Sequence, residues 1–186
     1  MEQYVNTVTA YVRGMKRWIA AAGDPKVVGS VASVFVSRFA SLVDRILEEG
    51  ASKADAPGEK SNLESLEGKA AVANSALIYG KHLDILASQE FSDLKAQGVR
   101  PQRVLWGSTS TKNPAYSDIK YMTELIAVGT LNTLPDKTFE DFLDYSAMSE
   151  ALTTNQGDAE ELRADTQRIP SFVARCAGRR LGGIPV

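Results

Sequence analysis

The chain has 186 residues, 44% of them hydrophobic and 24% charged, and its 21 basic side chains against 23 acidic ones leave a formal net charge of −2. That is the composition of one globular domain, not of a disordered segment, and the near balance gives no electrostatic reason to expect nucleic acid or an anionic membrane as partner. The single cysteine, Cys176, excludes an internal disulfide and points to a reducing compartment. No apolar run reaches the length of about 18 residues that spanning a bilayer needs. The start of the chain, with Glu2 and Asn6, lacks a signal peptide's basic and apolar regions. The expectation is a soluble cytoplasmic domain.

Residues 1–22 carry Val5, Val8, Val12, Met15 and Ile19 at helical spacing, which predicts an amphipathic helix ended by Gly23 and Pro25. The valine-rich run Ser30–Ser37 predicts a short buried parallel strand. Phe39, Leu42, Val43, Ile46 and Leu47 mark a second helix, closed by Gly50. Residues 51–62 hold almost no large apolar group and predict a solvated loop. A longer helix is expected from about Ser65, with Val72, Ala76, Tyr79, Leu83 and Leu86 as its stripe. Arg100-Pro101 breaks the chain ahead of a second strand over 103–108. Asn113 as N-cap and Pro114 in the first turn predict a helix carrying Tyr121, Leu125 and Ile126. Thr130–Leu134 is a third strand, and Thr138 with Asp141 starts a helix bearing Phe139, Phe142 and Leu143. Asp158 with Glu161 suggests a final cap.

Strands alternating with helices predict a parallel sheet, its strands covered on both faces. Three such strands make a poor independent core, so the pattern fits part of a larger α/β barrel or sheet.

Two segments carry candidate chemistry. Trp106–Pro114 runs from a strand end through hydroxyls and Lys112 into an expected helix start. Backbone N–H groups, the helix dipole, Ser and Thr hydroxyls and a lysine together suit an anion, although a capped polar loop explains the same composition. In Ser33–Arg38, strand alternation puts Ser33, Phe35 and Ser37 on one face. Arg38 then stands just beyond the C-terminal end of the strand, where a barrel binds its ligand and where a guanidinium takes a phosphate as a fork. A surface arginine in a first helical turn is the plainer alternative. His82 is expected to be a solvated helix residue, and Trp18 and Trp106 to be packing residues. Cys176 has no nearby partner for metal or nucleophilic chemistry, and the pairs Glu48-Glu49 and Glu160-Glu161 fit solvated helix ends. No dinucleotide, Walker or nucleophile-elbow motif appears.

The runs Val31-Ala32-Ser33-Val34-Phe35-Val36-Ser37-Arg38, Arg100–Tyr116 (RPQRVLWGSTSTKNPAY) and Thr130-Leu131-Asn132-Thr133-Leu134-Pro135 closely resemble transaldolase. The resemblance is to the longer bacterial subfamily of actinobacteria and cyanobacteria, and it runs from about residue 1 to about residue 168. It implies a (β/α)₈ barrel of which this chain holds approximately strands 6–8 with their helices: residues 1–168 as the C-terminal half and 169–186 as an atypical tail. It also implies transfer of a dihydroxyacetone unit from sedoheptulose 7-phosphate to glyceraldehyde 3-phosphate, giving erythrose 4-phosphate and fructose 6-phosphate, in the pentose phosphate pathway. The family forms a Schiff base on a strand-4 lysine, with carboxylates on earlier strands as acid and base. Under this alignment those segments are absent, so no catalytic residue is assigned and no cofactor or metal is implied.

What carries over is substrate holding. Ser33 and Phe35 match residues lining the sugar site, Arg38 matches the phosphate arginine after strand 6, and Lys112 is the nearest basic residue to a second phosphate arginine after strand 7. The partners implied are sugar phosphates, together with a complementary N-terminal half-barrel or self-association. The alternative is a truncated, non-catalytic remnant or interaction fragment, and the isolated chain is expected to be inactive. The tail after Gln167, RIPSFVARCAGRRLGGIPV, departs from the family's helical pattern.

Overall fold

A computed structural model of the chain describes residues 1–145 and 150–152. The expected cap at Asp158, Glu160-Glu161, Cys176 and the tail 169–186 lie outside the described residues.

The first helix, α1 (Glu2–Ala20), buries Tyr4, Val8, Val12 and Met15, while Val5 and Ile19 of the predicted stripe are half-buried. Asp24 caps a 3₁₀ turn, Pro25–Val27, by accepting the Lys26 N–H at 2.9 Å. Strand β1 (Val31–Phe35) passes directly into α2 (Val36–Ser52), so Ser37 belongs to the helix and not to the strand face expected for it. Helix α2 continues through Gly50.

The expected loop at 51–62 contains a helix, α3 (Pro57–Glu64). Proline in its first turn costs nothing there, and Leu63 is its one buried side chain, which is why no periodicity announced it. Helix α4 (Ala70–Leu86) buries Ala70 to Ala73, Ser75, Ile78, Tyr79 and His82, while Leu83 of the expected stripe is exposed. Ser88 caps α5 (Gln89–Ala96), a separate short helix for which the sequence pattern gives no expectation.

Strands β2 (Arg103–Gly107) and β3 (Leu131–Asn132) complete a parallel sheet of order β1-β2-β3. Ala32 pairs with Val104, Val34 with Trp106 and Trp106 with Asn132. Between β2 and β3 the helix expected at Pro114 does not form. Asn113 Oδ1 instead accepts the Ala115 N–H at 2.9 Å, and only the four-residue α6 (Lys120–Thr123) follows. The anion-attracting helix start proposed for that position is therefore not present there. Helix α7 (Asp136–Tyr145) buries Phe142 and leaves Phe139 and Leu143 exposed.

Alternation along the strands explains where the core sits. Ala32, Val34, Val104 and Trp106 face a helical layer that supplies Tyr4 and Val8 from α1, Val36 and Ala40 from α2, and Ile78 and Tyr79 from α4. The opposite face carries Val31, Ser33, Phe35, Arg103 and Leu105 and has no covering layer among the described residues. The expectation of strands covered on both faces is thus met on one face only. Phe35 is 53% and Val31 43% exposed.

Candidate functional site

Parallel strands place all their C-terminal ends on one side of the sheet, and here three exits meet. The Ser37 N–H, in the first turn of α2, donates to Ser108 O at 2.9 Å, and the two serine hydroxyls lie 2.8 Å apart. Thr109 Oγ1 donates to Asn132 Oδ1 at 2.7 Å and to Thr133 O at 3.0 Å. These contacts lock the end of β2 to its neighbours on both sides. Ser108 accepts a left-handed backbone, φ 56°, to make the turn, a conformation that costs a non-glycine residue about 1–2 kcal/mol and persists only where surrounding contacts impose it.

The predicted residues fall into two groups around these exits. Ser33 and Phe35 both lie on the uncovered face of β1 and are exposed. Arg38 is exposed in the first turn of α2, and its guanidinium carbon sits 4.9 Å from the centre of the Phe35 ring. This cation–π contact holds the head of Arg38 over the strand end. Among the described residues Arg38 makes no ion pair. Phe35 itself leans toward Gly107, where an added Cβ would meet its ring at 3.6 Å.

Lys112 belongs to the second group. It lies in a cleft of about 530 Å³ lined by Thr111, Lys112, Asn113, Pro114, Tyr116 and Asp118. Its ammonium donates to Ser110 Oγ at 3.0 Å. Ser110 is a residue that spacing alone did not single out; its signal was the alternating hydroxyl run Ser108–Thr111. Ser33, Phe35 and Arg38 do not line this cleft.

The cleft has a buried anchor. Asp44 on α2 is buried without a cationic partner among the described residues. Its Oδ1 accepts the Gly68 N–H at 3.0 Å and its Oδ2 accepts the Tyr116 hydroxyl at 3.1 Å. Burial and the adjoining Asp44 carboxylate push the Tyr116 hydroxyl well above the usual tyrosine range, so it stays a donor. Glu67, beside this carboxylate, is raised by burial and then by the charges of Glu48, Asp44 and Glu64. His82 is not solvated as expected but buried on α4, and it does not line the cleft.

Chemically, the strand exits offer two exposed cations, the half-buried hydroxyls of Ser110 and Thr111, and a half-open apolar face bearing one phenyl ring. This suits a polar ligand with an anionic end. No helix among the described residues is long and apolar enough to cross a membrane.

The family profile described as Transaldolase/Fructose-6-phosphate aldolase matches residues 1–174. The chain is 40% identical over 155 residues to a transaldolase of Trichodesmium erythraeum (strain IMS101), covering 83% of this chain and 41% of that protein. It is 40% identical over 171 residues to one of Parafrankia sp. (strain EAN1pec), covering 91% and 44%. It is 41% identical over 150 residues to one of Mycolicibacterium smegmatis (strain ATCC 700084 / mc(2)155), covering 80% and 38%. The chain therefore spans about two fifths of the length of these curated relatives.

Proposed function

The chain belongs to the transaldolase/fructose-6-phosphate aldolase family, and from that premise we propose that it forms the sugar-phosphate-holding sector of a transaldolase barrel. On this reading β1, β2 and β3 are strands 6, 7 and 8, residues 1–168 are the C-terminal half of the barrel, and the uncovered sheet face is its lumen. Ser33 and Phe35 line the sugar, Arg38 binds the phosphate, and Lys112 with Ser110 adds a second, weaker phosphate contact. A lysine binds phosphate as a point charge and lacks the forked geometry of arginine. The reaction served is transfer of a dihydroxyacetone unit between sugar phosphates.

The observation that carries the proposal is Arg38. It is a cation without an ion pair among the described residues, held over Phe35 at the C-terminal end of a parallel strand. Ligands of parallel α/β folds bind at that end.

The described strands hold no lysine. We therefore assign the Schiff-base amine and the acid–base carboxylates to polypeptide other than these strands. The exposure of Val31 and Phe35 favours a second reading, an interaction fragment whose open face is covered by a complementary half-barrel or another copy of the chain.

Calorimetric titration with fructose 6-phosphate and with fructose tests the first reading. Loss of a charge-assisted contact predicts that Arg38→Ala weakens the phosphorylated ligand about ten- to a hundredfold and leaves fructose unchanged. Lys112→Ala acts in the same direction with a smaller loss. Equal effects on both sugars, or none, would make Arg38 an ordinary helix-surface residue.

A further inference from the structure

We propose that Asp44 and Tyr116 are positioning residues for the phosphate end of this site, an inference that rests on the sugar-phosphate reading above. Arg38 and Asp44 share α2, so the helix fixes one relative to the other. Lys112 and Tyr116 share the segment that forms the wall of the cleft. The Tyr116–Asp44 hydrogen bond, 3.1 Å across 72 residues of sequence, joins the two units. It therefore sets where the Lys112 wall stands relative to the helix that presents Arg38.

The surroundings show that this joint is built for one geometry. The second Asp44 oxygen is occupied by the Gly68 N–H, so the carboxylate cannot rotate without giving up a bond. Gly68 has φ +73°, a left-handed backbone that glycine tolerates. A Cβ there would also stand 2.9 Å from Tyr116 Cζ, so only glycine lets the ring reach the carboxylate. On the cleft side the Tyr116 N–H donates to Asn113 O at 3.1 Å, closing a tight turn directly after Lys112. The Lys120 ammonium lies 5.8 Å from the centre of the Tyr116 ring. Among the described residues the buried carboxylate is held by two neutral donors, and losing either is costly; one of the two, Tyr116, lines the cleft.

Two measurements on the full chain test this. The first is amide hydrogen exchange over residues 109–118 without ligand. The second is calorimetric affinity for fructose 6-phosphate, with fructose as control. Tyr116→Phe keeps the ring and removes the donor. Loss of one such bond predicts exchange over 109–118 faster by about tenfold, with α1 unaffected, and sugar-phosphate affinity about five- to tenfold lower. Asp44→Asn still accepts the Gly68 N–H and turns its amide toward the Tyr116 oxygen, so it retains most of the affinity that Asp44→Ala loses. That rescue separates positioning from bulk stability. If Asp44→Ala does not fold, Tyr116→Phe and Asp44→Asn still decide the question.

Unchanged exchange over 109–118 in Tyr116→Phe overturns the anchor whatever the ligand does. Unchanged affinity in Tyr116→Phe, with Arg38→Ala weakened, overturns the positioning role and leaves the phosphate reading intact. Unchanged affinity in Arg38→Ala overturns the phosphate reading and with it the role assigned to the anchor.

Discussion

Tyr4 of α1 and His82 of α4 meet inside the helical layer, the tyrosine hydroxyl 2.9 Å from His82 Nδ1 across 78 residues of sequence. Both side chains are buried, and the rings pack edge to face. Burial pushes the Tyr4 hydroxyl up to about 12, so it stays protonated through the ordinary pH range. Burial also lowers His82 from its ordinary value of 6.5. The hydrogen bond itself survives protonation, with the imidazolium Nδ1–H donating to the tyrosine oxygen. What a charged His82 lacks there is water.

The sign of the pH effect follows from that burial. His82 binds a proton more weakly in the folded chain than in the unfolded one, so its contribution to stability is present above pH 6.5 and is lost as the pH falls below that value, through the lowered folded one. Melting curves between pH 7 and pH 5 should show a steeper fall for the wild type than for His82→Gln. Parallel falls would show that burial of His82 carries no proton linkage.

Thr109 gives a test at the strand exits. Its side chain is fully buried, and its hydroxyl is the joint between the end of β2 and Asn132-Thr133. Thr109→Val keeps the shape but removes the donor shared by Asn132 Oδ1 and Thr133 O, so it should cost about 0.5–1.5 kcal/mol in chemical denaturation. Thr109→Ser keeps the hydroxyl and should cost less. A valine variant as stable as the wild type would mean the joint is held by the sheet alone.

The elements easiest to foresee were those with both a periodic stripe and a local punctuation mark. Helix α1 had Val8, Val12 and Met15 ahead of Gly23 and Pro25, β1 had a dense valine run, and β2 had its apolar run directly after Arg100-Pro101. Helix α3 offered one apolar anchor, Leu63, and so looked like a loop. Asn113-Pro114 carried a helix-start signal that tertiary structure overrode, because Tyr116 is drawn into its bond with Asp44. The cations Arg38 and Lys112 were visible from strand-end position and resemblance. Asp44, Tyr116 and His82 were not, since each acquires its surroundings from a residue more than 70 positions away.

The uncovered sheet face predicts association. Val31 and Phe35 stand exposed on β1, which among the described residues is an edge strand with β2 as its single neighbour. Exposed edges and apolar faces recruit other chains. Sedimentation over a range of concentrations should show the chain self-associating. Val31→Glu, placed opposite Arg103 in the strand register, should shift it toward monomer without lowering its melting temperature by much. A wild type that stays a monodisperse monomer with a cooperative melt would sink this expectation.

The last prediction concerns covalent chemistry. A Schiff base forms when a neutral amine attacks a carbonyl, and enzymes keep such an amine neutral by desolvating it or placing a cation beside it. The lysines of the chain are Lys16, Lys26, Lys53, Lys60, Lys69, Lys81, Lys95, Lys112, Lys120 and Lys137. All but Lys120 are exposed, and the Lys120 ammonium is paired with Glu124 at 2.8 Å. Lys112 and Lys137 follow the C-terminal ends of β2 and β3 at the same distance; Lys112 lies in an open, hydroxyl-rich cleft, and Lys137 is exposed and paired with Asp141 at 3.1 Å. The chain incubated with fructose 6-phosphate and reduced with borohydride should therefore gain no mass. A stoichiometric gain on one lysine would overturn this, and on Lys112 it would replace the phosphate contact proposed for that residue with a covalent one.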